Sequence, residues 1–179
     1  MPWSGTWTAS TARGGDAMTE GASAEPASGD AGTLRHERFL AHSPERVWEA
    51  ITSPADMEQW MMARRVTVEG RVGGRVEVDA LLRADGRILV WDPPRKFEHD
   101  FRVRTPGRPD DEAVLSWELR PEGSGTRLTM TFRRLAPELV RVFARGQPIF
   151  VDRLEALLGG KAMPDLRAHA AEARRLGGI

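Results

Sequence analysis

The stretch GRILVWDPPRKFEHDF, residues 86–101, decides the fold because it predicts two strands and the turn between them. Apolar residues lie on both sides of Asp92-Pro93-Pro94, and proline ends a strand because it cannot donate a hydrogen bond to a neighbouring strand. Side chains of an extended segment alternate between two faces, so Phe97, His99 and Phe101 share one face. We therefore predict a strand whose apolar face carries one histidine.

The same period of two extends in both directions along the chain. Alternating valines flank the turn GRVGG at residues 70–74, and Ala84-Asp85-Gly86 is predicted to be a hairpin turn because Asp-Gly favours such turns. A further hairpin is predicted across PEGSG at residues 121–125. We therefore expect about six antiparallel strands, at residues 66–68, 76–80, 88–91, 96–103, 114–119 and 127–132.

One strand near Leu34 and two short helices are predicted before these strands. Ser43-Pro44 is typical of a helix start, because serine caps the first turn and proline fits its first position. This helix is expected at residues 46–52. Ser53-Pro54 repeats the signal for a second helix, which carries Met57, Trp60 and Met61.

A long helix is predicted after Leu135, because residues on one stripe then recur at spacings of three and four. Pro148 lies inside this pattern, so we expect the helix to restart or kink there. Gly159-Gly160 is expected to end it. The stripe contains Phe143, Gln147, Phe150, Leu154, Leu157 and Leu158.

The composition divides the chain into three parts. Residues 1–32 are rich in small and polar residues, with Trp3 and Trp7 as a possible partner-binding motif and Met18 as an alternative start, and we expect this tail to be disordered. Residues 33–160 form the predicted domain. Residues 161–179 are expected to be a helical extension, with a polar helix over residues 164–176.

The composition also excludes several classes of function. The 26 basic and 26 acidic residues balance, so neither nucleic acid nor membrane insertion is expected, and no secretory signal or membrane span is recognised. We therefore expect a cytoplasmic protein. Cysteine is absent, GRVGGR lacks the pattern of a phosphate-binding loop, and the histidines lack metal-ligand spacing, so no metal or cofactor is expected. These histidines are His36, His42, His99 and His169.

The order of elements predicts an α+β fold in which a curved antiparallel sheet wraps around the long helix. One face of such a sheet must be covered, and the long helix is the element with enough apolar surface to cover it. A strongly twisted sheet leaves space between itself and the helix unless large side chains fill that space.

Five stretches, in the same order, resemble the bacterial family named for homology to the activator of Hsp90 ATPase, in the START-like or SRPBCC superfamily. The resemblance covers residues 34–160 and implies a helix-grip fold around an apolar cavity. Related members bind lipids, hormones or polyketides, and a few catalyse cyclisation or dehydration. The eukaryotic namesake stimulates a chaperone ATPase. The stretches are AHSPERVWEAITSPADMEQWM, VEGRVGGRVEVD, GRILVWDPPRKFEHDF, LSWEL with GTRLTMTF, and FVDRLEALLGG.

The chain departs from the family pattern at Gly146-Gln147-Pro148. The family commonly has Gly-Trp followed by a histidine or a small residue at this point. An amide therefore replaces a large aromatic side chain at a position that should point towards the cavity.

His99 is the residue whose role decides between packing and function. A buried imidazole needs a hydrogen-bond partner, which could be a neighbouring strand residue or a buried water. Alternatively, His99 is a polar anchor that orients the carbonyl or hydroxyl of a ligand in an apolar pocket. A role in acid–base catalysis would need an orienting partner, and the sequence identifies none.

Three functions follow from this arrangement. The preferred one is non-catalytic binding of a small apolar or aromatic molecule in an internal cavity. The second is a chaperone-associated or regulatory interaction module, which a fully packed interior would favour. The third is a cyclase- or dehydratase-like enzyme, which needs two polar side chains that converge inside. The predicted ligand-binding residues are Trp60, Phe97, His99, Phe101, Trp117, Met130, Phe143, Gln147 and Phe150.

Overall fold

The computed structural model describes residues 6–10, 32–80, 83–104 and 113–165, and within them it confirms the predicted α+β class. The strands are β1 (Thr6–Ser10), β2 (Gly32–Leu40), β3 (Arg65–Val68), β4 (Arg75–Asp79), β5 (Arg83–Asp92), β6 (Lys96–Arg104), β7 (Ala113–Glu122) and β8 (Gly125–Leu135). The helices are α1 (Pro44–Thr52), α2 (Pro54–Trp60) and α3 (Pro137–Leu158).

The strands form one antiparallel sheet in the order β1-β2-β8-β7-β6-β5-β4-β3. The six strands from β3 to β8 follow one another as a meander, as the alternating pattern predicted. Strand β2 pairs with β8, so the first and last strands of the predicted domain lie side by side. The long helix that follows β8 can therefore turn back across the sheet.

Strand β1 lies inside the segment that composition predicts to be disordered. Its five residues pair with β2, from Thr6 opposite Glu37 to Ser10 opposite Thr33. Strand pairing uses backbone groups that any sequence offers, so an open edge beside β2 can order a segment with few apolar side chains. The predictions for residues 1–5, 11–31 and 166–179 lie outside the described residues, and residues 161–165 are not helical.

The Asp-Gly turn predicted at residues 84–86 is wrong, because these residues lie within β5. Gly86 pairs with Val76 on β4, and a Cβ added to it would lie 1.9 Å from the carbonyl oxygen of Asp100 on β6. Close approach of a neighbouring backbone is the other reason for glycine inside a strand. Gly86 is therefore a strand residue that lets β6 approach closely, and not part of a turn.

Helices α1 and α2 begin where the serine–proline pairs predicted. The side chain of Ser43 accepts a hydrogen bond from the backbone N–H of Arg46, and that of Ser53 accepts one from Asp56. The indole Nε1 of Trp60 donates to the carbonyl of Ala50 at 2.9 Å. The two short helices are therefore fixed to each other, with Trp60 buried between them and the sheet.

Helix α3 is continuous from Pro137 to Leu158, so the predicted restart at Pro148 does not occur. It contacts β2, α1 and α2. Its buried residues include Leu139, Phe143 and Leu154, and these belong to the same core as the inward side chains of the sheet. The face of the sheet that carries this core is called the inner face below. Among the helices of the described residues, none is long and apolar enough to cross a membrane.

Candidate functional site

Four of the five strand residues predicted from the sequence lie in two rows across the inner face, and Phe101 lies opposite Ala113 in a third. Antiparallel register places side chains on neighbouring strands directly opposite one another, about 5 Å apart. The first row runs through Phe97 on β6, Trp117 on β7, Met130 on β8 and His36 on β2. The second row runs through Ile88, His99, Leu115, Phe132 and Leu34.

Phe101 and Phe143 join the sheet to α3 through a group of three phenyl rings. The ring centroid of Phe143 lies 5.0 Å from that of Phe132, with nearly parallel planes at 10°, and 5.6 Å from that of Phe101. Phe101 and Phe132 meet edge to face at 5.3 Å. Such offset and edge-to-face contacts are favourable beyond the area that they bury. Phe132, which was not among the predicted site residues, is therefore a central part of this group.

A second aromatic group lies around Phe97, at the other end of β6 from Phe101, and extends to the surface. Trp91 contacts both Trp48 and Phe97, with ring centroids 5.0 and 5.3 Å apart. Both tryptophans are half-buried, whereas Phe97 is buried. A Cβ added to Gly70 would lie 2.8 Å from Cζ2 of Trp91, so the loop before β4 packs on this ring because Gly70 has no side chain.

Trp60 and Trp117 form a separate pair, with ring centroids 6.2 Å apart and planes at 77°. Met130 lies opposite Trp117 on the neighbouring strand and is buried. All three are buried core residues. They extend the inner apolar surface away from His99.

His99 is buried between the two aromatic groups. Its ring centroid lies 5.0 Å from that of Phe97 and 6.2 Å from that of Phe101, and only 5% of the residue is exposed. Its Nδ1 lies 2.6 Å from the carbonyl oxygen of Asp100, so Nδ1 carries a proton and donates it. No described residue hydrogen-bonds its Nε2. Burial lowers the pKa of His99 to about 4, and the hydrogen bond to Asp100 only partly opposes this shift.

Gln147 and Phe150, the remaining predicted residues, lie on α3 and are half-buried. Gln147 lies one helical turn from both Phe143 and Val151, which are buried on the face of α3 that meets the sheet. Its amide makes no hydrogen bond to a described residue. Phe150 packs against the core without a described ring contact. No described contact joins Gln147 to His99.

Two buried polar residues of the inner face were missed by the sequence analysis. His36 and Arg38 alternate with Leu34 and Leu40 on β2, so the period of two places all four on the inner face. Burial, and then the charge of Arg38, lowers the pKa of His36 to about 4. The alternation in LRHERFL could have predicted these positions. It was missed because two of the inward residues, His36 and Arg38, are polar and do not look like core residues.

Arg38 joins the inner face to the last part of α3. Its guanidinium pairs with Asp152, and with Glu155 through Nη1 and Oε2 at 2.9 Å. Only 9% of Arg38 is exposed, whereas its two carboxylate partners are partly exposed, so these charge-assisted hydrogen bonds lie at the edge of the core.

Arg153 holds α3 to α2 from another side of the helix. Its guanidinium donates to the carbonyls of Gln59 and Trp60 at 2.8 and 2.9 Å, and to that of Pro164 at 2.7 Å. Two of these carbonyls belong to the last turn of α2, where carbonyls have few intrahelical partners; that of Gln59 also accepts from the backbone N–H of Met62 at 3.4 Å. Burial lowers the pKa of Arg153 from its ordinary value.

Most of the predicted ligand-binding residues therefore pack against aromatic neighbours or within the core. The two depressions described in the structure lie elsewhere, and His99 and Gln147 line neither of them. The larger measures about 770 Å³ and lies on the outer face of β3 to β6; we call it the outer groove. Charged side chains dominate its lining, which includes Arg65, Arg75, Glu77, Asp79, Arg83, Asp85 and Arg104.

An antiparallel sheet that grips a C-terminal helix, with two short helices after the first strand of the domain, defines the helix-grip class of α+β proteins. The model of the family described as "Activator of Hsp90 ATPase homolog 1-like protein" matches residues 41–159, and the chain belongs to this family, in the SRPBCC superfamily. None of the curated proteins that were searched matches the sequence.

Several solved structures share the fold. Protein MLL2253 from Mesorhizobium loti is 28% identical, with a TM-score of 0.64, and the match covers 73% of this chain and 98% of that one. CalU16 from Micromonospora echinospora is 22% identical with a TM-score of 0.64 and coverage of 83% and 87%. The Aha1 dimer from Colwellia psychrerythraea is 17% identical with a TM-score of 0.61 and coverage of 73% and 98%. The last two likenesses concern the fold alone.

Proposed function

We propose that the protein binds a small, largely apolar aromatic molecule between the inner face of its sheet and α3, without catalysing a reaction on it. The single observation that carries this proposal is that the Nε2 of His99 has no hydrogen-bond partner among the described residues. Nε2 is a hydrogen-bonding atom on a buried ring. The Nε2 atom is not fully enclosed, so a bound molecule that reached it would form a hydrogen bond worth about 0.5–1.5 kcal/mol.

The neighbours of His99 favour an aromatic molecule. Phe97 and Phe101 flank the imidazole, and the rings of Phe132 and Phe143 continue the same surface. Binding sites for small molecules are mostly apolar, with a few polar groups that set orientation. The superfamily resemblance points to the same region, since related members hold apolar ligands between sheet and helix.

Binding must be accompanied by movement, because the rings are in contact. Phe143 is the member of the three-ring group that comes from α3, while Phe101 and Phe132 belong to the sheet. Displacement of Phe143 would open a space bounded by these two rings. We call this space the phenyl slot. Gln147, half-buried one turn further along α3, would lie at its rim.

Thermal unfolding with a panel of aromatic compounds tests the proposal. We expect some compounds to raise the Tm of the wild-type protein, since a ligand that binds only the folded state stabilises it. Phe143→Trp should remove this shift by overfilling the slot. The matched control is Val142→Ala, because Val142 is exposed on the same helix, and this variant should keep the shift. If no compound shifts the Tm, and native mass spectrometry of the purified protein finds no retained molecule, the proposal is wrong.

A regulatory protein-interaction module is the second candidate, favoured by the ring contacts that fill the interior. The family description names an activator of a chaperone ATPase, and the outer groove would offer such a partner charged contacts. A defined chaperone partner should then bind the wild type and lose affinity for Arg65→Glu combined with Arg83→Glu. Unchanged affinity of the double variant would exclude the outer groove as the contact surface.

A further inference from the structure

We infer that the molecule held at His99 is a neutral aromatic compound that carries a hydrogen-bond donor, such as a phenolic hydroxyl or a ring N–H. The inference rests on the proposed function, because it names the chemical class of the ligand in the phenyl slot. It excludes two neighbouring classes. These are aromatic carboxylates, which carry a charge, and aromatic ethers, which can only accept a hydrogen bond.

The hydrogen bond at Nδ1 decides which partner Nε2 can take. The carbonyl oxygen of Asp100 can only accept a hydrogen bond, and it lies 2.6 Å from Nδ1 of His99. The proton of a neutral imidazole must therefore be on Nδ1. Nε2 is left with a lone pair and no proton, so it can only accept. A ligand that meets Nε2 must bring the donor.

The surroundings of His99 keep the ring neutral at physiological pH. Phe97 and Phe101 lie on either side along β6, and the cross-strand neighbours are Ile88 and Leu115, all without charge. The carboxylates next to it in sequence, Glu98 and Asp100, belong to the opposite face of the strand. Burial dominates over their charges, and the pKa of His99 falls to about 4.

The charges of the buried cations in the inner region are already engaged, although the Nε of Arg38 has no hydrogen-bond partner among the described residues. Arg38 is engaged by Asp152 and Glu155 of α3. The guanidinium of Arg153 is engaged by three backbone carbonyls. An aromatic carboxylate would therefore have to lose its hydration without gaining an opposite charge, which is unfavourable. The slot should reject it at neutral pH.

The ring geometry indicates a flat ligand of more than one ring. Phe143 stacks on Phe132 with planes only 10° apart, so the slot that it occupies fits a planar ring. His99 and Phe132 lie in the same row with β7 between their strands, and two strand spacings amount to about 10 Å. A bicyclic compound that replaces Phe143 can stack on Phe132 and point its hydroxyl towards Nε2 of His99.

Three matched probes test this inference: 2-naphthol carries a donor, 2-methoxynaphthalene only an acceptor, and 2-naphthoate a charge. Calorimetric titration of the wild-type protein at pH 7 should give tightest binding for 2-naphthol. We expect about a tenfold preference over 2-methoxynaphthalene, the value of one buried hydrogen bond, and weaker binding still for 2-naphthoate. His99→Phe should abolish the preference for 2-naphthol while naphthalene compounds still bind.

His99→Gln supplies a second test that survives if His99→Phe fails to fold. Its amide offers both a donor and an acceptor, so 2-methoxynaphthalene should gain relative to 2-naphthol. Equal binding of 2-naphthol and 2-methoxynaphthalene to the wild type would overturn the donor requirement and leave the proposed function standing. Failure of all three probes to bind would overturn this inference, and the proposed function falls as well only if the thermal-shift panel and native mass spectrometry also find no ligand.

Discussion

The two halves of α3 are held to the rest of the molecule in different ways. The second half, residues 148–158, carries Asp152 and Glu155, which pair with Arg38, and Arg153, which donates to the carbonyls at the end of α2. The first half, residues 137–147, meets the sheet through apolar contacts such as those of Phe143. The second half of α3 is thus attached by polar contacts, whereas the first half only covers the sheet with apolar side chains.

The ends of α3 repeat this contrast. The N-cap residue Ala136 has no side chain that could cap the first turn, whereas the last turn ends at Gly159 with the backbone N–H of Lys161 bonded to the carbonyl of Ala156 at 2.8 Å. Pro148 separates the halves and removes one backbone donor between them. This contrast predicts that the first half moves away from the phenyl slot more easily than the second half.

Acidification should have the largest effect on stability, because it protonates a buried histidine next to each half of α3. His99 lies beside the rings that contact the first half, and His36 lies two residues from Arg38, which anchors the second. The pKa of each is lowered to about 4 in the folded protein from an ordinary value of 6.5. Between these values the unfolded chain binds more protons, so the free energy of unfolding must fall as the pH drops from 6.5 towards 4.

Urea unfolding at several pH values measures this effect. His99→Phe should keep only the part of the pH dependence that His36 causes. A free energy of unfolding that stays constant between pH 7 and pH 4.5 would contradict the burial of both histidines.

Removal of the Arg153 guanidinium should cost about 3 kcal/mol of stability, since it leaves two helix carbonyls and that of Pro164 without their donor. Arg153→Met keeps the stem of the side chain, and urea unfolding measures the loss. Arg145→Met is the control, because Arg145 is exposed on the same helix, and it should change stability by less than about 0.5 kcal/mol. If both variants lost the same free energy of unfolding, Arg153 would not be a special anchor of the second half of α3.

Arg38→Met should cost less, about 1–2 kcal/mol, because its two carboxylate partners are partly exposed and regain water when the cation is lost. Arg35→Met serves as the control on the same strand, where Arg35 forms an exposed pair with Glu37. Chemical denaturation of the two variants provides the comparison. A loss no larger than that of the control would mean that Arg38 does not anchor α3.

Hydrogen exchange compares the halves without any substitution and should show the smallest difference. Amides of residues 141–147 should exchange at least about tenfold faster than those of residues 151–158, because local opening requires only apolar contacts to separate. Mass spectrometry of peptides from the two halves measures this. Uniform protection along α3 would argue against a mobile first half.

The sequence predicted most of the elements, although not β1, and the inward face of β6. Alternation placed Phe97, His99 and Phe101 on the inner face, and the structure buries all three. The Asp85-Gly86 turn was wrong because the same dipeptide also suits a strand glycine beneath a close neighbour. A short-range signal could not distinguish these two causes.

The packing of the site was beyond the sequence. The stacking of Phe143 on Phe132 depends on register across three strands and on the direction of α3, neither of which alternation specifies. The inward position of Arg38 follows from period two, but its carboxylate partners lie more than a hundred residues further along the chain. The tautomer of His99 could be assigned only from the distance between its Nδ1 and the carbonyl oxygen of Asp100.

Nitrogen NMR of histidine-labelled protein tests the central claim most directly, because it observes Nε2 of His99 itself. His99→Phe assigns the resonance, and His36 serves as a second buried histidine outside the phenyl slot. On addition of 2-naphthol we predict that the Nε2 signal of His99 shifts as it accepts a hydrogen bond, while the signals of its Nδ1 and of His36 stay in place. Binding of 2-naphthol that leaves the Nε2 signal of His99 unchanged would contradict the account.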